Sequence, residues 1–318
     1  MIVTVTANRS LDRSAALASP IVRGQVHRLS DISVVAAGKG VNISRALRNA
    51  GVPTRAVVPA PEHDPLLTGM AAAGIDHLSV PVAHPVRTNL TVTEPDGTTT
   101  KFNEPGAGLD ADERAGLEAA VGEAAVGADW IVMSGSLPPG LPVDWYARMV
   151  AALRASGARI AVDTSDAPLA ALAGALPQAA PDLIKPNSTE LARICGGDGD
   201  AMEEAASHGD FGVVLENARG LVAKGIERVM VTLGGAGALL VTADGAWHGL
   251  AAPIEVRSTV GAGDSSLAGL LIGLAADADD DAALARAVAW GTAAAGLPGS
   301  TIPDPELAAR VQVRVTAV

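Results

Sequence analysis

Short apolar runs alternate with helical stretches along most of the chain. The runs are apolar at nearly every position, whereas the stretches between several of them repeat apolar residues about every 3.6 positions. Apolar strands separated by helices are typical of a mostly parallel sheet covered on both faces. The predicted fold class is therefore α/β, with strands at 2–5, 55–58, 130–133, 159–162, 182–185 and 228–233, further short strands over 237–256, and helices at 41–50, 111–125, 143–156, 211–224, 264–275 and 282–296.

Two segments interrupt this alternation with a different pattern. Residues 9–35 contain the run IVRGQVHRLSDISVV, which resembles two or three short strands. Residues 85–104 contain alternating β-formers on both sides of Pro95-Asp96-Gly97, a turn signal typical of hairpins. Both patterns are antiparallel in character, so we expect them to form a small β-sheet lid over the mouth of the larger sheet. The predicted α/β core then comprises residues 1–8, 36–84 and 105–318.

Composition narrows the range of partners. Of the 318 residues, 48% are hydrophobic and 2% aromatic, so the chain can bury a large core of aliphatic side chains. The formal net charge of −12 disfavours nucleic acid and anionic membrane surfaces as partners. A small anionic ligand would require a few cations gathered in one place.

The single cysteine and the N-terminal pattern indicate the cellular compartment of the protein. Cys195 alone can form neither an internal disulfide nor a cysteine-based zinc site. The N-terminus alternates polar and apolar residues without a basic region, and no apolar run is long enough to span a bilayer. We expect a cytoplasmic protein with no membrane partner.

The strongest local motif is STVGAGDSSLAGLLIGL at 258–274. Gly261, Ala262 and Gly263 are small residues at the start of a long apolar helix, whose unpaired N–H groups and partial positive charge suit a phosphate. Asp264 lies at the same end. It either caps the helix or accepts the proton of a hydroxyl that attacks a phosphorus held by the loop. The residues alone leave both roles open.

Two further motifs combine a helix start with polar side chains. In AAGKGVNISRALRNAG at 36–51, Lys39 and Asn42 lie at a glycine-rich turn; the turn is either purely structural with a solvated lysine, or a site where Asn42 binds sugar hydroxyls and Lys39 an anionic group. In IKPNSTEL at 184–191, Asn187 and Glu190 have the spacing of a capping box. The same oxygens suit hydrated Mg²⁺, and the two roles are compatible.

Together these motifs resemble the ribokinase-like, or PfkB, carbohydrate kinase family, from about Ile2 to Gly299. GKGVN and TVGAGD resemble the family's two signatures, IKPNSTEL its N-x-x-E element, and TLGGAG at 232–237 its nucleotide-binding turn. The resemblance implies a ribokinase-like fold, ATP as co-substrate and Mg²⁺ as cofactor. It implies that ATP contacts Lys185, Asn187, Thr232, Gly234 and Gly237, and that Asn187 and Glu190 bind Mg²⁺ through water.

Other segments resemble the phosphosugar kinases of this family, in particular the group of 1-phosphofructokinases and tagatose-6-phosphate kinases. TANRSLD at 6–12 resembles their N-P-x-x-D opening, with Arg9 in place of the proline. VRTN at 86–89 resembles T-R-x-N with Val86 in place of threonine, and GQVHR at 24–28 places Arg28 where the branch has a lid arginine. The segments SGSLPPGLP at 134–142 and DTS at 163–165 also match.

The resemblance assigns a role to each candidate residue. Asp264 is the general base, and Gly261, Ala262 and Gly263 surround the transferring phosphoryl group. A cluster of Arg28, Lys39 and Arg87 favours a substrate that already carries a phosphate. The remaining substrate-binding residues are Asp12, Gly38, Asn42 and Ser136.

The reaction implied is phosphorylation of a ketohexose monophosphate by MgATP, with D-fructose 1-phosphate as the first expectation. Tagatose 6-phosphate, fructose 6-phosphate, a free sugar or a nucleoside are alternative acceptors within the family. A non-catalytic sugar-phosphate sensor is the alternative from another class. Lids of this family often pair with a second subunit, so a homodimer is also expected.

Overall fold

The computed structural model describes every residue from Met1 to Val318 and contains two separate sheets. Each apolar run predicted above forms a strand, since its side chains are buried between layers of helices. The strands are β1 (Ile2–Val5), β2 (Ser10–Ala16), β3 (Ser30–Ala37), β4 (Thr54–Pro59), β5 (His77–Val80), β6 (Arg87–Thr93), β7 (Thr99–Asn103), β8 (Trp130–Ser134), β9 (Arg159–Asp163), β10 (Leu183–Ile184), β11 (Arg228–Thr232), β12 (Ala238–Val241), β13 (Ala246–Ala251) and β14 (Val313–Ala317).

The large sheet contains ten strands in the order β14-β13-β12-β11-β10-β9-β8-β1-β4-β5. All neighbours from β11 to β5 run parallel, whereas β12, β13 and β14 are added antiparallel at the other edge. The prediction of a mostly parallel central sheet is confirmed. The carboxyl ends of β1, β8, β9, β10 and β11 therefore meet along one edge, where open α/β sheets bind their ligands.

Most predicted helices are present within a few residues of their expected bounds. The helix expected over 143–156 is shorter, because its last turn tightens into a 3₁₀ helix over Arg154–Ser156 that ends at Gly157. The helices are α1 (Lys39–Asn49), α2 (Pro65–Ala72), α3 (Ala111–Ala125), α4 (Trp145–Leu153), α5 (Asp166–Gly174), α6 (Ser188–Cys195), α7 (Gly199–Ser207), α8 (Gly212–Val222), α9 (Ala262–Ala275), α10 (Asp280–Ala295) and α11 (Pro305–Ala309).

Helices cover both faces of the large sheet. Successive side chains of a strand point to opposite faces, so Val3 and Val5 of β1 belong to one apolar core and Ile2 to the other. The first core contains buried residues of α3 to α8, and the second those of α1, α9, α10 and α11. The expected arrangement of helices on both faces is confirmed.

The small sheet has the order β3-β2-β6-β7, and its strands come from the two interrupting segments. β2 pairs antiparallel with β3 and parallel with β6. The strand interpretation of residues 21–29 is wrong: Pro20 and a turn at Gly24 (φ 81°) break the extended backbone there, and the Val22 N–H donates to the His27 ring instead of to a neighbouring strand.

No helix combines the length and apolar character needed to cross a membrane.

Candidate active site

Asp264 lies in the first turn of α9 and is almost wholly buried, with 6% of its surface exposed. The helix is capped by Gly261, which has φ 79°, and no backbone N–H donates to the Asp264 carboxylate. Its Oδ2 accepts a hydrogen bond of 2.8 Å from Nδ2 of Asn42 on α1. The structure therefore gives Asp264 a partner at the site and no capping hydrogen bond.

Burial raises the pKa of Asp264 above its ordinary value. The ammonium group of Lys39 opposes this shift, and the carboxylate of Asp163 adds to it. A carboxylate whose pKa is raised is a stronger base than one in water. This electrostatic setting suits proton transfer.

Two lysines meet at one buried carboxylate beside Asp264. The amine of Lys39 lies 3.2 Å from both oxygens of Asp163, and the amine of Lys185 lies 3.4 Å from Asp163 Oδ1. Burial alone favours the neutral form of Asp163, but Lys185 and Lys39 outweigh it and hold its pKa below the ordinary value. The Lys185 amine also lies against Gly263, where a Cβ would be 3.2 Å from it. The two amines, paired with Asp163, thus lie close to the start of α9, where unpaired backbone N–H groups favour an anion.

The turn before α1 requires glycine. Gly38 has φ 115°, and a Cβ there would overlap the side chain of Thr6 and lie in tight contact with the Cα of Arg9. The close approach brings Lys39 and Asn42 to the carboxyl end of β1.

Polar residues of the small sheet face the same mouth. Ser10 Oγ and Asn89 Nδ2 both donate to Oδ1 of Asp12, at 2.9 and 3.0 Å. Arg87 donates to the carbonyl oxygens of Glu104 and Asn8 at 2.8 and 3.4 Å. Its Nε is buried without a hydrogen-bond partner.

The three cations that the sequence groups around one phosphate are not brought into mutual contact. Lys39 lies on Asp163, whereas Arg87 lies over backbone carbonyls at the base of the small sheet. Arg28 is exposed in the loop before β3 and makes no hydrogen bond or ion pair within the chain. Ser136 accepts a hydrogen bond of 3.0 Å from Asn8 Nδ2.

The predicted ATP-binding residues follow β10 and β11. A backbone bridge joins Asn187 to Thr232, so the two strand ends are held side by side. After β11 the chain turns through Gly234 and Gly237, at φ 53° and 86°, and the Leu233 N–H donates to the Gly237 carbonyl. This tight turn presents backbone groups beside Asn187.

The capping box at α6 is present, with Asn187 Oδ1 accepting from the Glu190 N–H at 2.8 Å and Glu190 Oε2 accepting from the Asn187 N–H at 2.9 Å. Oε1 of Glu190 has no partner. The chain holds no cluster of three or more His, Cys, Asp or Glu side chains that could bind a metal.

Residues 7–307 match the pfkB family of carbohydrate kinases. The chain belongs to this family. As the family implies, it is an ATP-dependent sugar kinase that uses a divalent metal ion.

Two curated relatives cover most of this family member. It is 34% identical to a 1-phosphofructokinase of Xanthomonas campestris pv. campestris, over 87% of this chain and 85% of the relative. It is 33% identical to a 1-phosphofructokinase of Rhodobacter capsulatus, over 99% of this chain and 96% of the relative. Among solved structures, the phosphofructokinase-2 of Escherichia coli in complex with fructose-6-phosphate superposes with a TM-score of 0.85 at 28% identity, covering 97% of both chains.

Sequence reasoning did not assign a role to two residues of this pfkB-type site, Asp163 and Asn89. Both lie inside segments quoted for the family resemblance, DTS and VRTN. The signal that could have identified Asp163 is its position as the first charged residue after the apolar run of β9, at the edge where open α/β sheets generally bind ligands.

Proposed function

We propose that this protein transfers the γ-phosphoryl group of ATP to D-fructose 1-phosphate, giving D-fructose 1,6-bisphosphate and ADP. The observation that carries the proposal is the surrounding of Asp264: a buried carboxylate at a helix N-terminus that accepts from the amide of Asn42 and lies near the charges of Lys39 and Lys185. The two 1-phosphofructokinase relatives, which cover most of the chain, support the choice of acceptor.

In the proposed reaction, Asp264 accepts the proton of the C6 hydroxyl as that oxygen forms a bond to the γ-phosphorus. The bond between the γ-phosphorus and the β,γ-bridging oxygen breaks, and ADP leaves with that oxygen. Lys39, Lys185 and the N–H groups around Gly263 stabilise the charge on the phosphoryl oxygens. This places Lys39 at the transferring group rather than at the phosphate already on the sugar.

The unpartnered polar atoms support sugar binding. Oδ1 of Asn42 and Oδ1 of Asn89 are buried acceptors without a partner, and Asp12 keeps one oxygen free. Such atoms are costly unless a ligand donates to them, and sugar hydroxyls are suitable donors. The free Nε of Arg87 is a donor and suits the phosphate of the sugar. Arg28 remains a proposed second cation for that phosphate, reached only if its loop moves.

Mg²⁺ is the divalent ion we propose, since hard oxygen ligands and nucleotide phosphates are its usual partners. When bound, it neutralises charge on the phosphates of ATP. Asn187 and Glu190 would hold it through water, with Oε1 of Glu190 as the free carboxylate oxygen.

The small sheet is proposed as a lid and as a dimer contact. Val34, Arg13, Leu90 and Phe102 occupy successive register positions across β3, β2, β6 and β7, on the face opposite to Asp12. Val34 and Phe102 are each 55% exposed, so the outer face carries unburied apolar surface. A second copy of the chain would cover it.

Fructose 6-phosphate is the second candidate acceptor, because the Escherichia coli structure with that ligand covers 97% of this chain. The test is release of ADP from MgATP with fructose 1-phosphate, fructose 6-phosphate, tagatose 6-phosphate and free fructose. We expect the highest kcat/KM for fructose 1-phosphate. A higher kcat/KM for another acceptor would refute this choice, and the absence of turnover with all four would favour the sensor.

A further inference from the structure

The strand end that carries Asp163 is held by several hydrogen bonds. Asp163 ends β9 in register with Ser134 of β8, and its backbone carbonyl accepts the N–H of Gly135 at 2.9 Å. Ser134 Oγ also donates to its Oδ2 at 3.3 Å. The Asp163 side chain has no exposed surface, so it cannot touch a substrate. Any effect on the reaction must pass through its neighbours.

The charged neighbours of Asp163 are two lysines that lie far apart in the sequence. Lys39 belongs to α1 and Lys185 follows β10, and both pair with the same carboxylate. The Lys185 side chain is 5% exposed, whereas that of Lys39 is 36% exposed. Lys185 is therefore buried, whereas part of the Lys39 side chain remains accessible. No other carboxylate forms an ion pair with either amine.

We propose that Asp163 is a positioning residue that holds the amines of Lys39 and Lys185 side by side at the phosphoryl-transfer site and keeps Lys39 away from Asp264. The proposal rests on the proposed phosphoryl transfer. It adds a residue to that site that acts only through others.

The charges around Asp264 explain why Asp163 would keep Lys39 away from it. The charged groups that face Asp264 are Lys39 on α1, Asp163 at the end of β9 and Lys185 at the end of β10. The helix α10, packed on α9, presents Gly291 to its first turns. Without the charge of Asp163, Asp264 is the carboxylate that acts most strongly on the Lys39 ammonium group. An ion pair between Lys39 and Asp264 would occupy the base and reduce its basicity.

The direction of the pH effect follows. The carboxylate of Asp163 raises the pKa of Asp264, so its neutralisation lowers that pKa. A general base acts when it is deprotonated, so kcat falls at low pH. This acid limb of the pH profile of kcat moves to lower pH in Asp163→Asn. At neutral pH kcat falls, since the weaker base and the displaced lysine both reduce stabilisation of the transition state. If the role of Asp163 were purely structural, Asp163→Asn would not displace the acid limb of the kcat profile in either direction.

The experiment compares the wild type with Asp163→Asn and Asp163→Glu. For Asp163→Asn we expect kcat to fall about ten- to a hundredfold, with the acid limb displaced to lower pH. Asp163→Glu keeps the charge and the ion pair of Lys185 but moves the carboxylate, so kcat should fall while the limb stays in place. A wild-type kcat and limb in Asp163→Asn would overturn the proposal. If that variant does not fold, a wild-type kcat in Asp163→Glu overturns it.

Asp182→Asn is the matched control. Asp182 lies at the opposite end of the sheet, where it pairs with Arg154 and accepts the Ile160 N–H. We expect it to lower the melting temperature without moving the acid limb; a displaced limb in this control too would overturn the proposal.

Binding of MgATP without sugar separates the two proposals. Calorimetry should show weaker MgATP binding to Asp163→Asn than to the wild type, whichever acceptor is correct. Equal affinities would overturn the positioning role. A wild type that binds MgATP but phosphorylates no acceptor would instead contradict the proposed function.

Discussion

Replacing Asp264 with asparagine tests the assignment of the general base. The substitution keeps the shape of the side chain, and the asparagine Oδ1 can still accept from Asn42 Nδ2, but the amide cannot take a proton. General-base catalysis contributes on the order of 10²–10⁴ in rate, about 3–5 kcal/mol of barrier. Because no other free carboxylate is placed in the same turn of α9, we expect kcat to fall at least about a hundredfold.

The fold should tolerate this change. Burial raises the pKa of Asp264, so the ionised side chain costs stability at neutral pH relative to the unfolded chain. A neutral amide removes that cost, and the melting temperature should stay the same or rise. The KM for ATP should change little, since the predicted nucleotide contacts lie at Lys185, Asn187 and the turn after β11.

The assay is ADP release across pH with purified, folded protein. In the wild type, kcat should fall as the pH drops through the pKa of Asp264, which lies above that of an ordinary aspartate. In Asp264→Asn this limb should disappear. Asp281→Asn, an exposed aspartate in the first turn of the neighbouring helix α10, is the matched control and should retain full activity. A near-normal kcat in folded Asp264→Asn would refute the base assignment.

Three further substitutions test the remaining parts of the site. Arg87→Ala should raise the KM for the sugar phosphate roughly ten- to a hundredfold, since contacts to charged groups contribute about 1.5–3 kcal/mol. The KM for ATP and the KM for free fructose should not change. Equal KM values of the wild type and the variant for the phosphate ester would contradict this prediction. Glu190→Gln should raise the Mg²⁺ concentration needed for half-maximal turnover, whereas a lower melting temperature alone would leave only its capping role. Val34→Lys should shift the protein toward a monomer in light scattering, and a monomeric wild type would contradict the proposed dimer.

The parts of the fold that sequence predicts well are those where burial is uniform. β1, β8 and β9 have almost every side chain buried, so their apolar runs stand out. β5 and β14 lie at the two edges of the large sheet with half-exposed side chains, and their pattern gives no comparable signal. α2 could have been found from Asp64 and Pro65, which form its N-cap and first position.

In the candidate site, too, some features can be predicted from the sequence and others cannot. Local motifs point to Lys39, Asn42 and Asp264, because each lies in the first turn of a helix that begins at a glycine-rich segment. They do not show that Lys39 meets Asp163, 124 residues away, since that contact depends on how α1 and β9 are placed by the sheet. The motifs also do not show which carboxylate or carbonyl each of the three predicted cations contacts; their grouping around one phosphate stays a prediction.

The hydrogen-bonding character of the unpartnered atoms also predicts the orientation of a phosphosugar in the proposed site. The Nδ2 group of Asn42 donates a hydrogen bond to Asp264. The other polar atom of the same amide, the acceptor Oδ1, has no partner and therefore lies close to the proposed base. The reverse orientation of this amide would place two acceptor oxygens against each other, which fixes the assignment. A phosphate has no strong donor to offer Asn42 or Asn89, whereas a hydroxyl has one. We therefore expect hydroxyls beside Asp264 and the phosphate beside the free donor of Arg87. In this orientation the proposed base would meet a hydroxyl and not the ester phosphate.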